Sequence, residues 1–525
     1  MILQIVATAV AAVFVFFASL SYCHMFQLEG YKPAGYNRWL NEKGLAKYWL
    51  VLVLTGVFVV ETVIDMLIPG IAGIIVSAVL IAAFAVLGLW FISSSRVTNA
   101  KKPLVYTARV KRMLASEAVL IALCCFLGYI SGIIPVAIII ALTPFMIVAA
   151  NFVNRPIEKG VANHYLNDAK KKIDARSDLI KVAITGSYGK TSTKFILGAI
   201  LSEKFNVLVP PSSYNTPMGL TRVIREQMTD ANEVMIAEMG AKHIGDIAEL
   251  VDLIHPKYGI ITSVGPQHLE TFKTIENVAK TKYELIAGLP QDGVAFFPDD
   301  GGITKKMYDD TTIAKRLFSL EKGGDVWAED ITVGEFGSRF TACFKTGESI
   351  KIETKLLGRH NIQNVLGCIA IAKELGMTAE EIAAGALRIE PVEHRLQMVP
   401  TTNGITVIDD AFNANPSGTR VAMEALSAFH GRKIVVTPGM IELGEAEEEE
   451  NRKFGVNMAK VADIVYLVGP KHTKPIFDGL IAGGFSEDCI VVLKSLDEVT
   501  RAMGPILEVG DVVLYENDLP DNYNE

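Results

Sequence analysis

Long apolar stretches dominate the first 150 residues, over 2–22, 49–68, 71–93, 117–130 and 133–150, with short polar segments between them. Several reach the ~20 residues with which an α-helix crosses the hydrocarbon core of a bilayer. The pattern therefore predicts an α-helical membrane domain of about five spans over residues 1–151. The fourth stretch is the shortest and holds Cys124 and Cys125; it and the fifth also read as one re-entrant hairpin. A basic and polar linker follows over 152–178. Beyond it, short apolar runs alternate with stretches whose apolar positions recur at three and four residues, the pattern of an α/β fold. Residues 179–185 read as a buried strand and the stretch from Thr193 onward as a helix. Towards the C-terminus, IVVTPG and VADIVYLVG read as parallel strands of a smaller, Rossmann-like domain.

The loops between the apolar stretches predict an orientation, because cytoplasmic loops collect Lys and Arg. Lys32, Arg38, Lys43 and Lys47 follow the first stretch, and Arg96, Lys101, Lys102, Arg109, Lys111 and Arg112 follow the third. The turns at Pro69-Gly70 and Ser131-Gly132 and the extreme N-terminus carry no basic residue. The expectation is a multi-pass protein of the cell membrane with its N-terminus outside and everything after residue 152 in the cytoplasm. No basic segment precedes the first stretch and no Ala-x-Ala site closes it, so it reads as a retained anchor. Glu61 and Asp65 lie one helical turn apart and read as interfacial acids or as lipid-headgroup contacts. Lys170-Lys171-Lys172 reads as a solvated cluster or as a contact for anionic lipid.

Composition sharpens this picture. Half of the 525 residues are hydrophobic and only 21% are charged, as in a chain that lies partly in lipid. A net charge of -8 offers no basic surface, so nucleic acid is not an expected partner. Six cysteines occur without a CxxC pair or zinc-site spacing and read as free apolar thiols. The acidic run at 445–450 reads as the solvated start of a helix.

Chemistry enters between the strand and helix around residue 186. Gly186-Ser187-Tyr188-Gly189-Lys190-Thr191-Ser192 is a short glycine loop at a helix N-terminus, where backbone N–H groups can approach a polyphosphate. Lys190 is suited to neutralise the β and γ phosphates and Thr191 to hold Mg²⁺. The usual phosphate-loop spacing is broken, since Ile184 stands where its first glycine belongs.

With its flanks, this loop (VAITGSYGKTSTKFIL) resembles the ATP loop of the Mur ligases, which add amino acids to the peptide of cell-wall precursors. Similar segments follow in the family's order: Tyr214-Asn215-Thr216-Pro217, Ala237-Glu238-Met239-Gly240, Ser263-Val264-Gly265-Pro266-Gln267-His268, Val278-Ala279-Lys280-Thr281-Lys282, Gly358-Arg359-His360-Asn361-Ile362-Gln363-Asn364 and His394-Arg395-Leu396-Gln397. Asp409-Asp410-Ala411-Phe412-Asn413-Ala414-Asn415-Pro416-Ser417, followed by Gly439-Met440-Ile441-Glu442-Leu443-Gly444, is similar to the branch that adds D-alanyl-D-alanine.

The resemblance, over about residues 179–515, implies a central ATP-binding α/β domain over 179–394 and a Rossmann-like C-terminal domain over 395–525. It also implies an ADP-forming carboxylate–amine ligase working through an acyl phosphate, with two Mg²⁺ ions. Lys190, His268, Lys282 and Arg395 are the implied catalytic residues. Thr191 and Glu238 would hold the first ion, and His268 with a carbamate on Lys282 the second, Lys280 being the alternative register. ATP would meet the phosphate loop and Arg395, with Asn361 and Asn364 on the adenine side and Asp409 or Asp410 at the ribose. Asn215, Asn413, Asn415 and Ser417 are the implied substrate residues, although Asn-Pro-Ser is equally a helix-cap sequence.

The chain also departs from its family. The membrane domain stands where soluble members carry a uridine-gripping domain, Phe296-Phe297-Pro298-Asp299-Asp300 lacks the family's Asn, and Glu516-Asn517-Asp518 replaces a Lys-Gly-Ser. The expected partners are therefore the lipid bilayer, a cell-wall precursor, soluble or lipid-linked, and an amino acid or dipeptide. A poly-γ-glutamate or folate-type ligase, and a non-catalytic nucleotide-binding scaffold, are the alternatives.

Overall fold

The structure, a computed structural model, describes residues 2–95, 102–211, 214–335, 337–399, 401–402, 404–412, 414–441 and 443–518. Arg96, Lys101, Asn413 and Glu442 lie outside the described residues. Two compact units divide between Asn163 and His164.

Among the described residues of the first unit, four helices are long and apolar enough to cross a membrane: Ile2–Leu28, Tyr48–Leu67, Ile71–Ser95 and Ala108–Ser131. The last is longer than its apolar stretch because it starts on the polar side, where the hydroxyl of Thr107 caps the N–H of Val110 at 3.2 Å. A fifth span arises if Ile134–Ala141 and Thr143–Asp174 count as one, bent by 95° between them. This break lies inside the fifth apolar stretch and adds to the turn at Ser131-Gly132 that separates the fourth from the fifth. Pro144 has no N–H to continue the preceding helix and begins the next one. Two hydroxyls satisfy carbonyls at the bend: Tyr48 donates to Ala141 O at 2.8 Å and Tyr36 to Pro144 O at 2.5 Å. Around them Phe14 meets Phe84 and Phe91 edge-on, with ring centroids 5.5 and 5.9 Å apart.

Helix Thr143–Asp174 runs through most of the segment read as a linker. Its last turns belong to the second unit, where Leu166, Ala169 and Ile173 recur at three and four residues and pack into the core. Lys170 pairs with Asp252, Asp168 accepts from Arg225 at 2.6 Å, and Lys172 donates to the carbonyl of Arg225. Two of the three consecutive lysines are thus engaged by protein.

The second unit is built on two sheets. The larger has nine strands in the order β2-β3-β1-β4-β5-β6-β7-β8-β9. These are β1 (Ile180–Thr185), β2 (Val207–Leu208), β3 (Val234–Glu238), β4 (Tyr258–Ile261), β5 (Val294–Pro298), β6 (Ala314–Ser319), β7 (Val326–Gly334), β8 (Gly337–Phe344) and β9 (Ser349–Thr354). Pairing is parallel from β2 to β7 and antiparallel from β7 to β9. Strand order reverses at β1, flanked by β3 and β4, so the segments leaving these three strands lie side by side around a crevice at the strands' carboxyl ends. Fully buried Val182, Ile184, Ile236 and Ile260 anchor the core there, with helix Lys190–Leu201 packed over them.

The smaller sheet runs β10-β11-β15-β12-β13-β14, comprising β10 (Gln397–Val399), β11 (Thr406–Asp410), β12 (Lys433–Thr437), β13 (Ile464–Val468), β14 (Ile490–Leu493) and β15 (Val512–Glu516). All pairs are parallel except β10 with β11. Helices Glu447–Met458 and Lys474–Ala482 cross here at glycines: a Cβ on Gly455 would stand 2.2 Å from Ile476 O, and one on Gly479 2.1 Å from Arg452 O. Gly455→Ala is therefore expected to destabilise the protein by about 1–3 kcal/mol, lowering its thermal midpoint. Gly504→Ala, where nothing lies within 4 Å of the added methyl group, should change stability by under about 0.5 kcal/mol. An equal midpoint for both variants would refute the close crossing.

Candidate functional site

The loop after β1 is shaped by two glycines that no larger residue can replace. Gly186 has φ 151° and a Cβ there would lie 2.1 Å from Thr262 Oγ1; Gly189, at φ 80°, has the Asn364 amide 3.1 Å from its Cβ position. Lys190 opens the following helix and arches back, donating to Gly186 O at 2.7 Å and Ser187 O at 3.1 Å. Burial pulls its ammonium down to about 8, against the attraction of Glu238.

Hydrogen bonds sew this loop to the one after β4. Ser187 N–H donates to Ser263 O (2.8 Å), Tyr188 N–H to Ser263 Oγ (2.9 Å), Thr262 Oγ1 to Tyr188 O (2.5 Å) and Tyr188 Oη to Pro266 O (2.5 Å). Ser187 Oγ and Gly265 exchange two more, each of 3.0 Å. Ser192 lies in the first turn of the phosphate-loop helix. His268 stands at the end of the second loop with φ 50°, its carbonyl accepting from Thr271 and Phe272.

Glu238 ends β3 in this crevice, 1% exposed. Thr191 Oγ1 donates to both its oxygens at 3.0 and 3.1 Å, Asn215 Nδ2 to Oε1 at 3.0 Å, and the fully buried Lys194 pairs with Oε2 at 3.2 Å. Thr191, Glu238 and Asn215, far apart in sequence, thus meet at one carboxylate. Sequence reasoning missed Lys194. Its signal was a second lysine four residues after Lys190, on the buried side of an otherwise apolar helix. A hydroxyl and a carboxylate this close make a hard oxygen donor set that fits one Mg²⁺.

Lys282 projects from helix Ile275–Ala287 and is 1% exposed, with no hydrogen-bond partner for Nζ among the described residues. Burial, reinforced by Lys190, holds its amine far below the usual lysine range. Lys280 is exposed, so only one of the two candidate registers places a lysine inside. A neutral, unpartnered amine is the form that adds CO₂, so the site fits a carbamate at Lys282. Glu284, two residues on, accepts from Gly245 and Ala248 at 2.9 and 3.0 Å and ties this helix to the segment after Glu238.

Of the two asparagines expected at the adenine, Asn364 lies over Gly189 while Asn361 donates to Leu357 O at 2.9 Å. His360, just before Asn361, has a buried Nδ1 without a partner among the described residues, and burial lowers its ring to about 4. Arg395 stacks on Phe412 at 4.3 Å, bracketed by left-handed His394 (φ 59°) and Leu396 (φ 45°). Of the two ribose candidates, Asp409 accepts from His394 Nδ1 at 2.7 Å and Asp410 from Leu396 N–H at 3.1 Å. Asn415 accepts from Gly418 N–H at 2.9 Å and caps helix Pro416–Ser427, which begins with Ser417 in its first turn. That side-chain oxygen therefore serves the fold. Asn517, also missed, donates to Gly439 O at 2.5 Å and accepts from Ala414 N–H at 3.2 Å, holding two loops of the smaller sheet together.

Comparison with known proteins agrees with this arrangement. The Mur ligase middle domain matches residues 184–372, and the domain described as Mur ligase, glutamate ligase domain matches 394–515. The UDP-N-acetylmuramoyl-tripeptide–D-alanyl-D-alanine ligase of Mycobacterium tuberculosis is 34% identical over 295 residues, covering 55% of this chain and 57% of that protein. The Mycobacterium leprae protein of the same name is 32% identical over 364 residues, covering 63% and 70%. A crystal structure of the MurF ligase from Thermotoga maritima in complex with ADP superposes with a TM-score of 0.60 at 26% identity, covering 68% of this chain and 80% of that one. The chain spans little more than half the length of the first mycobacterial relative. Two matching domains, and a relative about one third identical over most of its length, show that the chain belongs to the Mur ligase family.

Proposed function

We propose that this chain is an ATP-dependent, ADP-forming ligase that joins D-alanyl-D-alanine, or a related amino acid or dipeptide, to the carboxylate of a cell-wall precursor beside the membrane. The observation that carries the reading is the convergence of Lys190, Thr191, Glu238 and Lys282 at the carboxyl ends of β1 and β3 and on the helix behind them. A carboxylate condenses with an amine only once it is activated: transfer of the γ-phosphoryl group from ATP makes it an acyl phosphate and leaves ADP, and the amine then attacks the acyl carbon and displaces inorganic phosphate. In this reading Lys190 and Arg395 balance the charge of the phosphoryl group in flight. Thr191 and Glu238 would hold one Mg²⁺, and His268 with carbamylated Lys282 a second; bound there, the ions would supply positive charge against the phosphates. Asp409 or Asp410 receives the ribose, Asn361 and Asn364 the adenine side, and Asn215, Asn413, Asn415 and Ser417 the substrates.

The names of the relatives support D-alanyl-D-alanine as the amine and the uridine-linked tripeptide as the acyl donor. The apolar helices support a membrane location, and the loop charges support a cytoplasmic catalytic unit with the N-terminus outside. A lipid-linked acyl donor would suit that placement.

Purified full-length protein given ATP, Mg²⁺, the uridine tripeptide or its lipid-linked form, and D-alanyl-D-alanine should release ADP only when both substrates are present. ATP hydrolysis indifferent to the amine would reject a ligase. Lys282→Ala should lower turnover by about 10²–10³-fold, the usual loss for a preorganised electrostatic group. Stripping CO₂ from the buffer should slow the wild type and leave that variant unchanged. Full activity in Lys282→Ala would instead favour the non-catalytic scaffold. A single cysteine placed at Pro69 should react with an impermeant maleimide on intact cells, and one at Arg38 only after permeabilisation; the reverse pattern would invert the proposed topology.

A further inference from the structure

The parallel pairing of β11 with β15 sets Asp410 beside Glu516 at the ends of both strands. Glu516 is 1% exposed, shares a hydrogen bond with Asp410, and its Oε2 has no partner among the described residues. Two carboxyl groups so placed do not both ionise. Burial pushes Glu516 well above the usual carboxylate range, with Asp410's charge adding to it, so Glu516 keeps its proton and donates it to Asp410. Burial also raises Asp410, to about 6, while Arg395, the Leu396 N–H and the bond from Glu516 oppose that rise and Asp409 adds to it. Arg395 is the cation that faces both acids, and it faces Glu238 as well.

We propose that Glu516 is a positioning residue: its hydrogen bond orients the Asp410 carboxylate, and Asp410 in turn holds Arg395 where the guanidinium serves the phosphates of the nucleotide. This rests on the reading of Arg395 given above. A lysine at this place, as in the Lys-Gly-Ser that the family resemblance predicts, would satisfy Asp410 with a full positive charge and compete with Arg395 for it. A protonated glutamic acid supplies the hydrogen bond and leaves Asp410's negative charge to the arginine.

The test uses the full chain in detergent, reading ADP affinity by calorimetry and KM for ATP across the acid range. Glu516→Gln, which keeps a donor, should retain wild-type affinity and the wild-type acid limb. Glu516→Ala should weaken ADP about tenfold, the scale of one lost hydrogen bond to a charged group, and should move the acid limb to higher pH, because Asp410 loses a bond that favours its ionised form. Glu516→Lys should move the limb to lower pH and still bind ADP more weakly than the Gln variant. An acid limb that stays fixed across all three variants, or wild-type ADP affinity in Glu516→Ala, would overturn the proposal. Should Glu516→Ala fail to fold, Glu516→Leu, which fills the space without a donor, takes its place: a space-filling role predicts the limb and affinity of the Gln variant, and that result would overturn the proposal. ADP binding also separates the two readings: if affinity follows this series while no amide is formed, the ligase reading fails and the positioning role stands.

Discussion

The crevice depends on one buried charge. Glu238 sits at the end of a strand with almost no access to water, and a carboxylate is tolerable there only because Lys194, Thr191 and Asn215 surround it. The partners come from two places: the phosphate-loop helix supplies Lys194 and Thr191, and the loop before the next helix supplies Asn215. Satisfying that single group fixes how the ATP loop lies against the third strand. Removing one partner would leave an uncompensated buried charge, a far larger penalty than losing a surface ion pair.

A second constraint makes the phosphate loop and the His268 loop one body. The bonds between Ser187, Tyr188 and residues 262–266 use backbone groups of both loops, so neither can shift without stranding donors of the other. Glu284 plays the same part between the helix of Lys282 and the segment after Glu238. The proposed metal ligands thus ride on a shared frame, although they are scattered over nearly a hundred positions of the chain.

Much of this was legible in the sequence because its causes are local. Glycine at 186 and 189, a lysine and a threonine after them, and a strand-to-helix change of period specify a phosphate loop by geometry alone. The apolar stretches announced helices for the same reason. What was not legible depended on distance in sequence. Lys194 looked like one more helix lysine, because only folding brings β3 behind it. The fourth and fifth apolar stretches did not show where the bend would fall, since the groups that satisfy it, Tyr36 and Tyr48, lie about a hundred residues away. The segment at 152–178 read as a linker because its charged residues hid a narrow apolar stripe. At Asn415 a family role and a capping role compete for one side chain, and the described geometry shows the cap.

Where the apolar helices span a bilayer, as proposed, the two tyrosines at that bend carry a consequence for how they meet the lipid. In hydrocarbon a freed carbonyl finds no water, so straightening the segment would cost both hydroxyl bonds with nothing to replace them. The kink is then an elbow held by the protein, not a response to bilayer thickness. A helix that adapts to mismatch by tilting changes its angle with lipid length; this one should keep its shape in thin and thick membranes alike, leaving the lipid to do the adjusting.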